Sequence, residues 1–312
     1  MDWGAELRRA HAVKTGRDRG IRLPRDVVVS GTADAVRVEV ATGAMAANMQ
    51  TDGAAFEAWV LALRAWCGVG AVTLDWSGEP DPADAHVQRF LYRAGRFARL
   101  FPWVRLARPA VLERATALTE PNLVLNTRRT GAKADAANPE AALERRLLHG
   151  LELEGFCGLT RLCAQVPVGL FQCEVGAGRR VFPGGAGAID LLGTDGHGSL
   201  WLFELKAGGN TKLGILSELL LYTWMMQDVL RRRFRFANDQ SGDPDGIQPG
   251  EITACRRIEA RFIAPTFHPL LDGSGIVDLL NEAMTADDVP VRFAKICIDG
   301  GAGDEALCLL PG

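Results

Sequence analysis

No run of about 18 uncharged apolar residues occurs in the chain, so a membrane-spanning helix is not expected. Acidic residues interrupt the stretch MDWGAELRRAHAVKTG at residues 1–16, and it lacks the apolar core expected of a signal peptide. No CxxC pair is present. The seven cysteines (67, 157, 163, 173, 255, 297 and 308) are odd in number and mostly set in apolar runs. That pattern argues against structural zinc or a disulfide framework and suits buried thiols in a reducing, cytoplasmic setting. The five histidines (11, 86, 149, 197 and 268) show no HExxH or related spacing, which argues against a zinc enzyme. A P-loop, a GxGxxG following a strand and a GxSxG elbow are all missing. Nucleotide-driven motor activity and serine hydrolase chemistry therefore have no support.

What is present is ordinary globular composition. The 312 residues are 47% hydrophobic and 23% charged, enough for one large domain or two ordinary ones. The net charge of −3 excludes a globally basic nucleic-acid binder. Basic residues are nevertheless uneven. Residues 1–25 hold seven Lys or Arg against three Asp or Glu, and Arg231, Arg232, Arg233 and Arg235 make a second cluster. Such patches can neutralise phosphates within an acidic protein. They also suit solvated helix ends and faces.

Two regions are expected, residues 1–135 and 136–312. In the first, Val36, Val38 and Val40 alternate with Arg37 and Glu39, the period of a half-buried strand. Phe56, Trp59, Val60 and Leu63 then carry a helical period. AVTLDW (71–76) and WVRL (103–106) read as strands, and residues 84–100 as a helix. No catalytic constellation shows in this N-terminal α/β region, whose expected role is recognition or assembly. Residues 127–138 are small and polar, as in a linker. Asn138 and Pro139 then suit a helix N-cap and first turn. The second region reads as helix (139–152), strands (about 163–175, 181–192 and 199–206) and a long helix (about 212–233). Strand (257–264), helix (274–285) and strand (290–298) follow, with an exposed loop at 237–250.

The chemistry concentrates in GAGAIDLLGTDGHGSLWLFELKAGGN (185–210). TDGHG between two apolar runs predicts a hairpin. Centred on His197, it pairs Asp190 with Glu204. Lys206, two residues on, shares their sheet face, and Trp201, Phe203 and Leu205 take the other. Two close carboxylates repel unless a positive charge stands with them. A divalent cation prefers such hard oxygen ligands, polarises a phosphodiester and acidifies a bound water. Lys206 is suited to orienting or deprotonating that water, or to stabilising developing negative charge. An isolated ExK is common and more often a structural ion pair, so the neighbouring helices matter. Glu144 and Glu140 fall within the apolar stripe of Leu143, Leu147, Leu148 and Leu151, where a carboxylate needs a partner; Glu144 is the stronger candidate. Glu218 and Tyr222 share one side of the apolar helix that follows. That pairing equally suits a structural hydrogen bond.

These residues resemble the PD-(D/E)xK, restriction-endonuclease-like nuclease superfamily. Its αβββαβ core carries an acid on the first helix, an Asp on the second strand and [DE]xK on the third. AID (188–190), ELK (204–206) and Glu144 match those positions, and the resemblance covers roughly residues 139–300. Many members carry QxxxY on the next helix; here Glu218 stands in place of Gln, four residues before Tyr222. Ile189 stands where the family name has Pro. The resemblance implies an α/β fold with a C-terminal restriction-endonuclease-like core. It implies Mg²⁺- or Mn²⁺-dependent hydrolysis of DNA, with Asp190, Glu204 and Glu144 as metal ligands and Glu218, Tyr222 and Glu140 in support. Bacterial DNA processing or phage defence is the implied setting, compatible with a homodimer or an activating partner protein. The competing reading is a catalytically silent scaffold that binds nucleic acid or a partner protein.

Overall fold

The computed structural model describes residues 1–115, 118, 120–127, 139–150, 157–183, 187–207, 212–238, 246–271, 273 and 275–298. The chain is mixed α/β and groups into two compact units. Met1–Thr119, Lys212–Glu218 and Phe267–Ala283 form the first; Glu120–Thr211, Leu219–Thr266 and the chain from Met284 on form the second. The expected boundary near residue 135 and the Asn138 cap lie outside the described residues. No helix is long and apolar enough to cross a membrane among the residues described.

The first unit begins with α1 (Trp3–Thr15), capped by the Asp2 carboxylate on the Ala5 N–H at 3.0 Å. Then come β1 (Val27–Gly31), β2 (Ala35–Val40), a short α2 (Thr42–Met45) and α3 (Phe56–Cys67). β3 (Ala71–Trp76), α4 (Ala85–Leu100), β4 (Val104–Leu106) and α5 (Pro109–Arg114) complete its contiguous part. The sheet order is β1-β2-β3-β4, with β1 antiparallel to β2 and the other pairs parallel. Val36, Val38 and Val40 are buried, as their alternation predicts. The helical stripe Phe56, Trp59, Val60 and Leu63 is buried too. Asp84 caps α4, accepting from the His86 and Val87 N–H groups at 2.7 and 3.2 Å.

Charge enters this core at two places. Glu57 on α3 and Arg93 on α4 are essentially fully buried and joined by a two-pronged ion pair. Arg93 also donates to the Ala54 carbonyl at 2.8 Å, and Ser217 Oγ donates to Glu57 at 2.8 Å. The Asp75 carboxylate, near the end of β3, is gripped by Arg37 on one oxygen and by Arg108 Nε at 2.9 Å on the other. Arg108 also stacks on Trp76, 4.9 Å from its ring centre.

The second unit opens with β5 (Leu123–Leu125), α6 (Pro139–Gly150), β6 (Arg161–Pro167) and β7 (Leu170–Gln172). The hairpin β8 (Ala188–Thr194) and β9 (Ser199–Leu205) follows, then α7 (Gly214–Leu230), whose first residues group with the first unit. β10 (Phe234–Phe236), α8 (Pro249–Ala254) and β11 (Arg257–Ala264) come next. α9 (Gly275–Met284), nearly all of which groups with the first unit, and β12 (Val291–Cys297) end the described chain.

A five-stranded sheet of order β12-β11-β9-β8-β6 carries the second unit. β6, β8 and β9 form an antiparallel meander, while β11 runs parallel to β9 and to β12. Leu143 and Leu147 of α6 pack against Leu191, Phe203, Leu205 and Ile263 on one face. The strand expected over 163–175 is divided. β6 ends at Pro167, which has no N–H to continue a ladder, and Leu170–Gln172 instead joins a separate sheet, β10-β5-β7.

Candidate active site

The β8–β9 ladder pairs Leu191 with Phe203, Leu192 with Leu202, Gly193 with Trp201 and Thr194 with Leu200, a register centred on residue 197. One step further, the same register puts Asp190 opposite Glu204. The alternation of a strand gives Leu191, Phe203 and Leu205 to the packed face beneath α6. Asp190, Leu192, Leu202 and Glu204 belong to the other face.

Three of the expected site residues meet around one stretch of backbone. Asp190 Oδ2 accepts from the Leu205 N–H at 2.7 Å, and Leu205 lies between Glu204 and Lys206. Lys206 Nζ donates to Glu204 Oε1 at 2.8 Å, with side-chain exposures of only 6% and 2%. The Lys206 N–H in turn donates to the Ile263 carbonyl at 2.8 Å, fastening this stretch to β11. Burying an ion pair costs several kcal/mol of hydration per charge, recovered only where geometry and hydrogen bonds are good. Two charges placed in a strand end of otherwise apolar residues are therefore a costly arrangement to keep.

Glu144 is buried on α6, and it accepts a hydrogen bond from Gln165 Nε2. Gln165 lies within β6 between the pairs Ala164–Leu191 and Val166–Ile189, so its place in the register is opposite Asp190. Its φ is +53°, a left-handed backbone rare for a non-glycine residue inside a strand. Backbone strain of this kind costs about 1–3 kcal/mol and tends to gather at functional sites. Gln165 carried no signal in the sequence, because neither its type nor its spacing marks it. Glu140 is half-buried one turn before Glu144.

Among the described residues, no three His, Cys, Asp or Glu side chains are gathered closely enough to hold a metal ion. The expected ligand set of Asp190, Glu204 and Glu144 is therefore not assembled as a group of three. Asp190 and Glu204, on neighbouring strands, supply two hard oxygen donors, the number with which Mg²⁺ is commonly held alongside water and substrate oxygens. Glu218 groups with the first unit, where Gln50 Nε2 donates to its Oε1 at 2.7 Å. Tyr222, one turn on, is fully buried in the second unit.

In the arginine cluster after α7, Arg231 is directed inward, while Arg232, Arg233 and Arg235 are exposed. The Arg231 side chain is 10% exposed and donates to Asp288 from Nε at 3.0 Å and to Asp287 from Nη2. Burial pulls its pKa down, but those two carboxylates outweigh it and hold it raised. Arg233 pairs with Asp228 at 3.3 Å, and Arg232 is an exposed turn residue with φ +58°. Arg231 and Arg233 thus have anionic partners, whereas Arg232 stands exposed without an ion pair among the described residues.

Asp195, in the hairpin turn, has a structural role that the sequence did not reveal. Burial pushes its carboxyl pKa up, but hydrogen bonds from Ser199, His197 and Trp201 outweigh that and bring it to about 2. The backbone bonds are 2.8 Å from His197 and 3.1 Å from Ser199. The depressed value means that this stabilisation is present above pH ~4 and is lost as pH falls towards ~2. Asp195→Ala is expected to lower stability at pH 7 by about 1–3 kcal/mol, with a difference from wild type that narrows as pH falls through ~2. Urea titrations at several pH values measure this; a pH-independent difference would assign the effect to packing.

Compared with family models, curated proteins and solved structures, the chain matches none.

Proposed function

We propose that the chain is a metal-dependent nuclease whose catalytic cluster is Asp190, Glu204 and Lys206. The observation that carries this reading is the convergence of two carboxylates and a buried lysine around Leu205, at the end of the β8–β9 hairpin. With β7, β10 and α8 set aside, which lie outside the five-stranded sheet, the helix–meander–helix–strand order from α6 to β11 supports it, because it is the order of the restriction-endonuclease-like core that these motifs resemble. Mg²⁺ or Mn²⁺ held by Asp190 and Glu204 would polarise the phosphodiester and acidify an attacking water.

The chain's own residues then have distinct tasks. The Leu205 N–H fixes the orientation of Asp190. Glu204 holds the Lys206 ammonium close to the scissile group. Lys206 orients the attacking water and offsets the negative charge that grows on the phosphoryl oxygens. Glu144 acts through Gln165, setting the backbone of β6 opposite Asp190. DNA is the substrate that the resemblance implies, in DNA processing or phage defence.

The test is cleavage of supercoiled and linear DNA with Mg²⁺ or Mn²⁺ by wild type and Asp190→Asn. The expected result is metal-dependent cutting that falls at least about 10²-fold in the variant. Cutting that survives Asp190→Asn would remove this cluster from the chemistry. A second reading, a silent scaffold, is favoured by the lack of a three-ligand group among the described residues. Wild-type protein that binds DNA without cutting under either metal would select it.

A further inference from the structure

The sequence has two basic clusters, and the structure treats them differently. Arg231 is committed to Asp287 and Asp288, and Arg233 to Asp228. In the first unit, by contrast, Arg8 on α1 and Arg22 and Arg25 in the segment leading to β1 are all exposed. None of the three forms an ion pair or a side-chain hydrogen bond among the described residues. All three line one open cleft of ≈ 510 Å³, walled by the start of α1 and by Val27, Val28 and Val29 of β1.

The other groups in this cleft reinforce its sign. Its only acidic side chain is Asp2, whose carboxylate already serves the N-terminus of α1 through Ala5 N–H at 3.0 Å. Trp3 lines the same cleft, is 2% exposed, and its indole N–H has no acceptor among the described residues. The unmet side-chain polar groups here are thus mainly donors. β1 is also the edge strand of its sheet, pairing with β2 alone. The other charged cleft of this unit makes the contrast clear. At the ends of β2 and β3, Arg37 and Arg108 are both held by Asp75, and Glu39 stands beside them, so its lining charges cancel.

We propose that the cleft between α1 and β1 binds the phosphate backbone of a nucleic-acid duplex. Guanidinium forks match phosphate oxygens bidentately, and three of them against the single carboxylate of Asp2 give a local excess of positive charge in a chain of net charge −3. The groove form favours a continuous polyanion over a small enclosed anion. Single strands are usually gripped by aromatic faces on which bases stack. The one aromatic side chain here, Trp3, is buried and offers no such face. Contacts to phosphate alone make the binding indifferent to sequence and strongly dependent on salt.

The experiment is fluorescence anisotropy of the full chain with a labelled DNA duplex, in EDTA so that no strand is cut, between 50 and 200 mM NaCl. Three phosphate contacts give a slope of about −2.7 in log K against log salt, or about a 40-fold loss of affinity over that range. The triple variant Arg8→Ala/Arg22→Ala/Arg25→Ala is expected to weaken binding and reduce the slope by about 2.7, whereas Arg232→Ala/Arg233→Ala leaves it unchanged. Because all five side chains are exposed, a thermal midpoint like that of the wild type certifies each fold. Unlabelled RNA duplex that competes like DNA supports the same backbone site. An unchanged slope in the triple variant would overturn the proposal. So would equal competition by polyglutamate or by anionic lipid vesicles, which would assign the cleft to acidic peptides or membranes. Binding is read without turnover, so failure here is separate from failure of the nuclease reading.

Discussion

Arg93→Met is expected to destabilise the protein by about 3–5 kcal/mol, because it strands the Glu57 carboxylate in the core. Glu57 is 0% exposed and has two side-chain donors, Arg93 and Ser217 Oγ, among the described residues. Removing the guanidinium takes away the charged donor and its link to the Ala54 carbonyl, leaving one hydroxyl to serve an anion. Met fills much of the same volume, so the loss reflects charge more than a cavity. The double variant Glu57→Leu/Arg93→Met is expected to recover most of the deficit, since a buried pair replaced by apolar side chains is often neutral. Urea midpoints of the four proteins measure the cycle. A single variant as stable as wild type would mean that water reaches Glu57.

The second large effect is expected at Lys206. Lys206→Met leaves Glu204, 2% exposed, without the ammonium now 2.8 Å away. Activity is expected to fall at least about 10²–10³-fold, the usual effect of deleting one electrostatic contact to a transition state. Stability is expected to fall by about 3–5 kcal/mol as well. Adding Glu204→Gln should restore much of the stability and none of the activity. That divergence separates a catalytic ion pair from a merely structural one. Double-variant protein that regains both would reduce Lys206 to a structural partner of Glu204.

The legible parts of this chain were those governed by local rules. Turn residues and apolar flanks placed the hairpin register about His197, because a two-residue period admits few alternatives once the turn is known. The apolar stripe of α3 was equally plain. Glu57, one residue into that stripe, was not, since its burial depends on an arginine 36 residues away. The same holds for Gln165, whose left-handed backbone interrupts a ladder that is regular on either side of it. The pairing of Arg231 after α7 was hidden for a related reason. Its carboxylate partners at 287 and 288 lie far along the chain, and spacing does not reveal such pairing. The division of the chain was also hidden. Composition marks a polar stretch at 127–138, but long-range contacts send Lys212–Glu218 and Phe267–Ala283 to the first unit.

That last feature bears on how the protein is made. Domains usually fold as they leave the ribosome, the N-terminal one first. Here residues 1–119 lack part of their own unit until Ala283 has emerged. At about 5–20 residues per second, that interval lasts roughly 10–30 s. During it the surface of α3 around Trp59 and Trp66 waits for a missing segment of the same chain, a period in which a nascent-chain chaperone has something to hold.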